Sequence, residues 1–289
     1  MKILVTGANG QLGSELHKLS LHYPQFKFVF ADRKALPLDD LDNINNILNK
    51  IGPDLIVNAG AYTAVDKAES EKELADAVNN LAVRGIAKWA AQNEAKVIHV
   101  STDYVFDGTS KTPRSETHAT APINWYGETK LRGEQALLHY LPESIIIRTS
   151  WVYSEFGANF VKTMLLLMKE NDSISVVKDQ IGSPTSATDL AKVLMAIIGS
   201  EKWKSGIFHY SNIGEISWYD FAKAIRDFSG ISCDVQGVTS EQYPTLAQRP
   251  KYSLLNKSKI QDSYSIVIPH WKDSLENLLR DHVVDKNII

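Results

Sequence analysis

A single cysteine, Cys233, stands in a chain of 289 residues, so no intrachain disulfide can form, and no Cys/His cluster has zinc-like spacing. That usage suits a reducing intracellular compartment. Long apolar runs are missing as well. No stretch approaches the roughly eighteen consecutive apolar residues of a membrane-spanning helix, so a membrane partner is not expected. At the N-terminus only Ile3-Leu4-Val5 separates Lys2 from Thr6-Gly7, too short for the apolar region of a signal peptide, and the expected location is cytoplasmic. Charge of one sign is scarce: 31 basic against 34 acidic side chains leave a formal charge of -3, with no basic surplus to hold nucleic acid. Internal repeats and low-complexity tracts are absent too. What is present is ordinary for a globular chain, 44% hydrophobic and 22% charged, long enough for one large α/β domain or a main domain with an appendage.

Short apolar runs alternate with helical patterns through the first half. The runs fall at 3–5, 26–31, 55–57, 97–100 and 145–147, and helical stretches lie near 11–20, 41–51, 71–93 and 126–138. Strands that read as continuously apolar are covered on both faces, which is the mark of a parallel sheet built from βαβ units. The expected fold class is therefore α/β, a doubly wound parallel Rossmann-type sheet with a smaller C-terminal lobe. After Thr149 the rhythm loosens, with helices expected at 160–169 and 188–198 and a short strand at 174–177. Ser217-Trp218-Tyr219-Asp220 reads as a capping box opening a further helix. Residues 1–150, completed by parts of 173–200, are expected to form the main domain, and 151–289 to contribute a discontinuous smaller lobe.

Thr6-Gly7-Ala8-Asn9-Gly10-Gln11-Leu12-Gly13 follows the first strand and opens the first helix. Gly7, Gly10 and Gly13 permit a tight turn, close approach of backbone to a pyrophosphate, and packing of helix on strand. Asp32 ends the second strand, where a carboxylate can accept the ribose hydroxyls of a dinucleotide. A carboxylate there favours NAD, whereas Arg33 and Lys34 could accommodate the extra phosphate of NADP, so the sequence leaves NADH and NADPH both open. Asp40-Leu41 falls where a loop could reach an adenine, though Asp42 as a helix cap explains part of the acidic cluster. Ala61-Tyr62-Thr63 follows the third strand amid small residues that let a cofactor lie against backbone.

Tyr126-Gly127-Glu128-Thr129-Lys130 sets a phenol and an ammonium four residues apart, on one face of a helix. A nearby cation lowers a tyrosine pKa from about 10, which outlines a general acid or base. Ser101-Thr102-Asp103-Tyr104 ends the fourth strand, at the sheet edge where ligands bind in this architecture. Thr102 there is placed to hydrogen-bond a substrate oxygen beside the phenol.

Through Thr6 to Gly13 and Tyr126-x-x-x-Lys130 the chain resembles the extended short-chain dehydrogenase/reductase superfamily. More narrowly it is similar to the dTDP-4-dehydrorhamnose reductase family. The matching segments are Thr63-Ala64-Val65-Asp66-Lys67-Ala68-Glu69, Ser101 to Phe106, Arg148-Thr149-Ser150-Trp151-Val152-Tyr153, Asp179-Gln180 with Gly182 and Pro184-Thr185, and Arg249-Pro250. The resemblance implies reduction of the 4-keto group of a dTDP-linked 6-deoxyhexulose by NADH or NADPH, with Tyr126 as proton donor. Lys130 would hold the nicotinamide ribose and lower the phenol pKa, and Thr102 would bond at the reacting oxygen. Gly10, Gln11, Leu12, Asp32, Asp40, Leu41, Ala61, Tyr62 and Thr63 would line the cofactor. Thr102, Asp103 and Trp151 would touch the sugar nucleotide. Arg249 is a candidate for the diphosphate, with pairing to an acid of the small lobe as its other reading.

Some relatives dimerise around magnesium held by two acids. Glu15 keeps the first, but Thr188 stands at the second, so no metal site is expected and the chain reads as a monomer or weak homodimer. Related dehydratases carry an acid pair after the active-site threonine, whereas here Asp103 is followed by Tyr104. Epimerisation needs no such pair and stays open. A noncatalytic NADP-binding role is the other alternative, since a regulatory subunit of methionine adenosyltransferase resembles the same family.

Overall fold

A computed structural model describes residues 1–285. The first half runs β1 (Lys2–Thr6), α1 (Gln11–Ser20), β2 (Lys27–Ala31), α2 (Leu41–Ile51), β3 (Leu55–Asn58), α3 (Val65–Ala68), α4 (Lys72–Asp76), α5 (Ala82–Gln92), β4 (Lys96–Thr102), α6 (Trp125–Tyr140) and β5 (Ile145–Thr149). The second runs β6 (Val152–Tyr153), α7 (Phe160–Glu170), β7 (Ser173–Val177), β8 (Ile181–Gly182), β9 (Thr185–Ser186), α8 (Ala187–Gly199), β10 (Gly206–His209), β11 (Ile216–Ser217), α9 (Trp218–Ser229), β12 (Asp234–Val238), α10 (Ser258–Tyr264) and α11 (Trp271–Asp285).

Six strands form one sheet in the order β10-β5-β4-β3-β1-β2, and every neighbouring pair is parallel. Alternate side chains explain the apolar runs. Ile3, Val5, Val57, Ile98 and Ile147 pack on one side with Leu190, Leu194 and Ile197 of α8. Leu4, Ile56, Val97 and Ile146 pack on the other with Ile86 and Leu137. The fold is α/β with a doubly wound sheet, and its strand order turns between β1, β2 and β3. At such a switch the loops leaving the carboxyl ends diverge and leave a crevice.

A separate core gathers Met164 and Met168 of α7, Phe221 and Ile225 of α9, and Trp271 and Leu275 of α11 around β7 and β12. Residues 173–200 are thus shared: β7 pairs with β12, while α8 packs on α1 and joins the sheet's core. The sixth strand comes from β10, whose four residues carry little periodic signal. The expected helix at 71–93 is interrupted by a π-helical turn at Ala77–Leu81. Ser217 and Asp220 do form the capping box of α9. Among the described residues no helix is long and apolar enough to cross a membrane.

Candidate active site

The crevice at the carboxyl ends of β1, β3, β4 and β5 holds a cavity of about 660 Å³, within the usual range for small-molecule sites. Two close approaches build it. Gly7 adopts φ +65°, and a Cβ on it would stand 2.7 Å from Gly60 Cα, so only glycine lets the loop after β1 lie against the loop after β3. Gly127 lies under the 3-10 turn Asp103–Val105, where a Cβ would stand 2.2 Å from the Tyr104 carbonyl oxygen. Asn124 caps α6 by accepting from Gly127 N at 2.8 Å, which places Tyr126 in the first turn. Thr102 closes β4, where its hydroxyl accepts from Tyr104 N at 3.2 Å and donates to Asp103 Oδ1 at 3.1 Å.

On the facing wall, Asn79 of the π-helical turn holds Tyr62 by both backbone groups, accepting from its N at 2.9 Å and donating to its O at 3.0 Å. It also donates to Thr129 Oγ1 of α6 at 3.2 Å. A π turn costs regular helix geometry and recurs at functional sites. Here it ties the 61–63 segment to the helix that carries Tyr126.

The electrostatics differ from the sequence expectation at one point. Burial pushes the Tyr126 phenol up to about 12, with the charge of Asp103 adding to the rise and the Thr102 hydroxyl opposing it. The expected lowering by Lys130 is absent. Lys130 is 2% exposed, and its Nζ donates to Val100 O at 2.7 Å instead of turning to the phenol. Burial brings Lys130 down to about 8, against the charge of Glu134. Burial also raises Asp103 to about 7, although the Ser253 and Thr102 hydroxyls favour its charged form.

Twelve of the residues singled out from sequence line this one cavity: Gly7, Gly10, Gln11, Leu12, Ala61, Tyr62, Thr63, Thr102, Asp103, Tyr126, Lys130 and Trp151. Five do not. Gly13 packs behind the loop, where a Cβ would meet the Gly7 carbonyl oxygen. The Asp32 carboxylate turns to its own loop and accepts from Lys34 N, Ala35 N and Asn9 Nδ2. Those bonds, the Ala35 one foremost, hold it below the usual carboxylate range. Asp40 precedes α2 and accepts from Asn43, and Leu41 begins that helix; the wall here is Leu38 and Asp39. Arg249 pairs with Asp66 at 2.6 Å, an acid of α3 rather than of the small lobe.

Arg33, which the sequence offers for the extra phosphate of NADP, lines the cavity as a thirteenth, while Leu38, Asp39 and Trp218 are wall residues that sequence reasoning passed over. Arg33 pairs with Asp39 at 2.7 Å. Trp218 stacks on Trp151 with ring centroids 3.7 Å apart, and Trp151 sits at φ +49°. Its sequence signal was the capping box, which locates a helix start but not what the indole meets. Three buried polar atoms of the wall, Gln11 Oε1, Ser101 Oγ and Asp103 Oδ2, have no partner within the protein. A ligand rich in hydroxyl and amide groups would satisfy them. Glu15, in contrast, accepts from Ser154 at 2.7 Å, and no group of three or more His, Cys, Asp or Glu among the described residues could hold a metal.

Comparison with known proteins agrees with this geometry. A "dTDP-4-dehydrorhamnose reductase" of Aggregatibacter actinomycetemcomitans is 42% identical over 96% of this chain and 98% of its own length. One of the same name from Escherichia coli is 40% identical over 97% and 98%. Among solved structures, a dTDP-4-dehydrorhamnose reductase of Clostridium acetobutylicum superposes with a TM-score of 0.92 at 39% identity, covering 97% of this chain and 99% of that one. The Bacillus anthracis enzyme in complex with NADP gives the same TM-score and coverage at 37% identity. The profile described as RmlD substrate binding domain matches residues 1–284, nearly the whole length over which the glycine loop, Thr102, Tyr126 and Lys130 are laid out, and the chain belongs to that family.

Proposed function

We propose that this protein reduces the 4-keto group of dTDP-4-dehydro-6-deoxy-L-mannose to give dTDP-L-rhamnose, using NADPH or NADH. The observation that carries this reading is a single cavity with the glycine loop at one end and Thr102, Tyr126 and Lys130 at the other. Relatives about 40% identical bear the name dTDP-4-dehydrorhamnose reductase, and a structural relative was solved with NADP.

Hydride for the carbonyl carbon is what a bound nicotinamide cofactor supplies here. The backbone at Gly7 and Gly10, with the N-terminus of α1 behind it, suits a pyrophosphate. The unpartnered Gln11 Oε1 and Ser101 Oγ suit further polar groups of such a cofactor. Tyr126, with its phenol pushed up to about 12, keeps its proton at neutral pH and gives it only to a strong base such as the alkoxide left by hydride addition. Thr102 lies beside that phenol and orients it. Lys130, fixed on Val100 O, sets a charge at the floor of the cavity for the cofactor ribose. Asp103, Trp151 and Trp218 form the wall we assign to the sugar nucleotide. Arg249 reaches it only indirectly, by bracing Asp66 and Tyr104.

In this reading residues 1–150 with α8 and β10 hold the cofactor, and most of the chain from 151 onward closes over the sugar nucleotide. The single buried cysteine suits a cytoplasmic enzyme, and engagement of Glu15 by Ser154 suits a monomer or weak homodimer. The test is NADPH or NADH oxidation on adding dTDP-4-dehydro-6-deoxy-L-mannose. Tyr126→Phe should lose roughly a hundred- to ten-thousandfold in turnover while keeping cofactor affinity. A wild-type protein that oxidises neither cofactor with this substrate refutes the assignment.

A further inference from the structure

The helix that carries the glycine loop also holds a stretch of chain leading into the smaller lobe. Gln11, Glu15 and Lys18 of α1 follow one another at four and three residues, so they share one face of the helix. All three grip the segment between β6 and α7. Gln11 Nε2 donates to Val152 O at 3.3 Å, Ser154 Oγ donates to Glu15 Oε1 at 2.7 Å, and Lys18 pairs with Glu155 at 2.8 Å. Gly157 lies over the same helix end at φ +65°, where a Cβ would stand 3.3 Å from Gln11 Cγ. The Lys18 pair is exposed and worth little. Glu15 differs, at 3% exposure. A carboxylate costs free energy to bury, and an aliphatic side chain would pack there at less cost, so the acid serves to fix the segment rather than to fill space.

The segment so held is cavity wall at both its ends. Trp151 and Val152 line the cavity at the start and Gly157, Ala158 and Asn159 at the finish, together with Gly10, Gln11 and Leu12. Ser154 sets the turn between them. Its hydroxyl oxygen accepts from Phe156 N at 3.0 Å while its proton goes to Glu15, and its carbonyl accepts from Asn159 Nδ2 at 2.8 Å. Asn159 Oδ1 then accepts from Lys162 N and caps α7. Neither Glu15 nor Ser154 lines the cavity, so each reaches it only through this segment. Gln11 does line it, and its amide has one possible sense. A carbonyl only accepts, so Nε2 faces Val152 O, and Oε1 is left buried without a partner in the protein.

We propose that Glu15 and Ser154 are positioning residues that latch residues 152–159 onto α1, and that through this latch a dinucleotide at the glycine loop and a sugar nucleotide at the Trp151 wall strengthen each other's binding. The identity of the two ligands rests on the reductase reading, and the latch does not. A dinucleotide that gives Gln11 Oε1 a donor steadies the side chain that holds Val152, the neighbour of Trp151. A sugar nucleotide against Trp151 steadies the segment from its start. Whichever binds first orders the stretch that the second needs, and the coupling is reciprocal.

Hydrogen exchange and ligand binding on the full-length protein test both parts. Without ligands, Glu15→Ala should quicken exchange at the Phe156 amide and Ser154→Ala at the Lys162 amide, by about tenfold each, although neither change removes that amide's own partner. Glu15→Gln keeps an acceptor for Ser154 and should hold the wild-type rate at Phe156. With dTDP-L-rhamnose, the proposed product, as the probe, wild type should bind NADPH about five- to tenfold more tightly than without it, as read by fluorescence titration. In Ser154→Ala and Glu15→Ala that ratio should fall to within about twofold of one, while the Kd for NADPH alone moves less than about threefold, and Glu15→Gln should restore the coupling. Exchange unmoved at both amides, or a ratio as large in the alanine variants as in wild type, overturns the proposal. So does a wild-type protein that binds the two ligands independently. A wild-type protein that binds neither cofactor, or does not bind the dTDP sugar, instead refutes the reductase reading and the coupling with it, while the exchange rates still decide the latch.

Discussion

Gly127 lies so close to Tyr104 that a Cβ on it would stand 2.2 Å from the Tyr104 carbonyl oxygen. The glycine between the two signature residues of α6 is thus a packing requirement. It lets the first turn of the helix rest on the 3-10 turn that follows Thr102. Gly127→Ala must lift α6 away from that turn, and Tyr126 travels with it. A displacement near 1 Å at a reacting group can cost about a hundredfold in rate. We expect Gly127→Ala to lower kcat by about that factor with cofactor affinity within twofold of wild type. Unchanged kcat in a folded Gly127→Ala protein would show that the contact does not position the phenol.

Arg33 and Asp32 divide the question of cofactor choice. The Asp32 carboxylate is saturated by its own loop and lies off the cavity wall, while Arg33 lines the wall beside Asp39. A guanidinium at that place suits the 2'-phosphate of NADPH. Arg33 is well exposed, so the gain is modest, on the order of 1.4 kcal/mol or tenfold. Arg33→Ala should weaken NADPH about tenfold and leave NADH nearly unchanged, as read by fluorescence titration. Equal weakening of both would place Arg33 away from the phosphate.

Much of the site was legible because its parts are local. The apolar runs mark strands covered on both faces, and the glycine loop and the Tyr126 to Lys130 spacing each lie within one turn and one helix. What escaped depends on where a side chain ends rather than where its residue starts. Spacing puts Lys130 on the same face as Tyr126, yet only the sheet shows that its Nζ reaches Val100 O. Asp40 and Leu41 are displaced from the wall by the start of α2, a boundary that sequence fixes only to within a few residues. Arg249 finds its acid on α3, more than 180 positions away in sequence, a contact that no local pattern announces.

Trp151 and Trp218 stack nearly parallel, 15° apart, with Phe160 4.5 Å from Trp218. Trp151 holds φ +49°, a conformation that costs an L-residue about 1–3 kcal/mol, and the stack helps offset it. Trp218 reaches the cavity from α9, so it joins the far core to the wall assigned to the sugar nucleotide. Trp218→Ala should raise KM for the sugar nucleotide about tenfold with an unchanged Kd for NADPH, and Trp218→Phe should recover most of the loss. The stacked indoles should also give a far-ultraviolet exciton couplet that vanishes in either variant. An intact couplet in Trp218→Phe would rule out this pairing.

Asp103 gives the fold a pH signature whose sign can be worked out. Burial raises its carboxyl to about 7, from an ordinary value of 3.8 in the unfolded chain. Between those values the folded protein holds a proton that the unfolded chain has released. Stability therefore falls as pH rises through that window, reaching its low plateau above about pH 7. Burial outweighs the help that the Ser253 and Thr102 hydroxyls and the neighbouring backbone give the charged form, so ionisation leaves a buried charge that costs stability. Asp103→Asn keeps the shape and cannot ionise. Its stability relative to wild type should improve between pH 5 and pH 8, by up to a few kcal/mol, because each tenfold change in proton affinity is worth roughly 1.4 kcal/mol. Urea denaturation of both proteins at the two pH values measures the difference directly. A constant gap between them would mean that Asp103 titrates alike in the folded and unfolded chains, and that its carboxyl is already charged in the folded protein when the sugar nucleotide arrives.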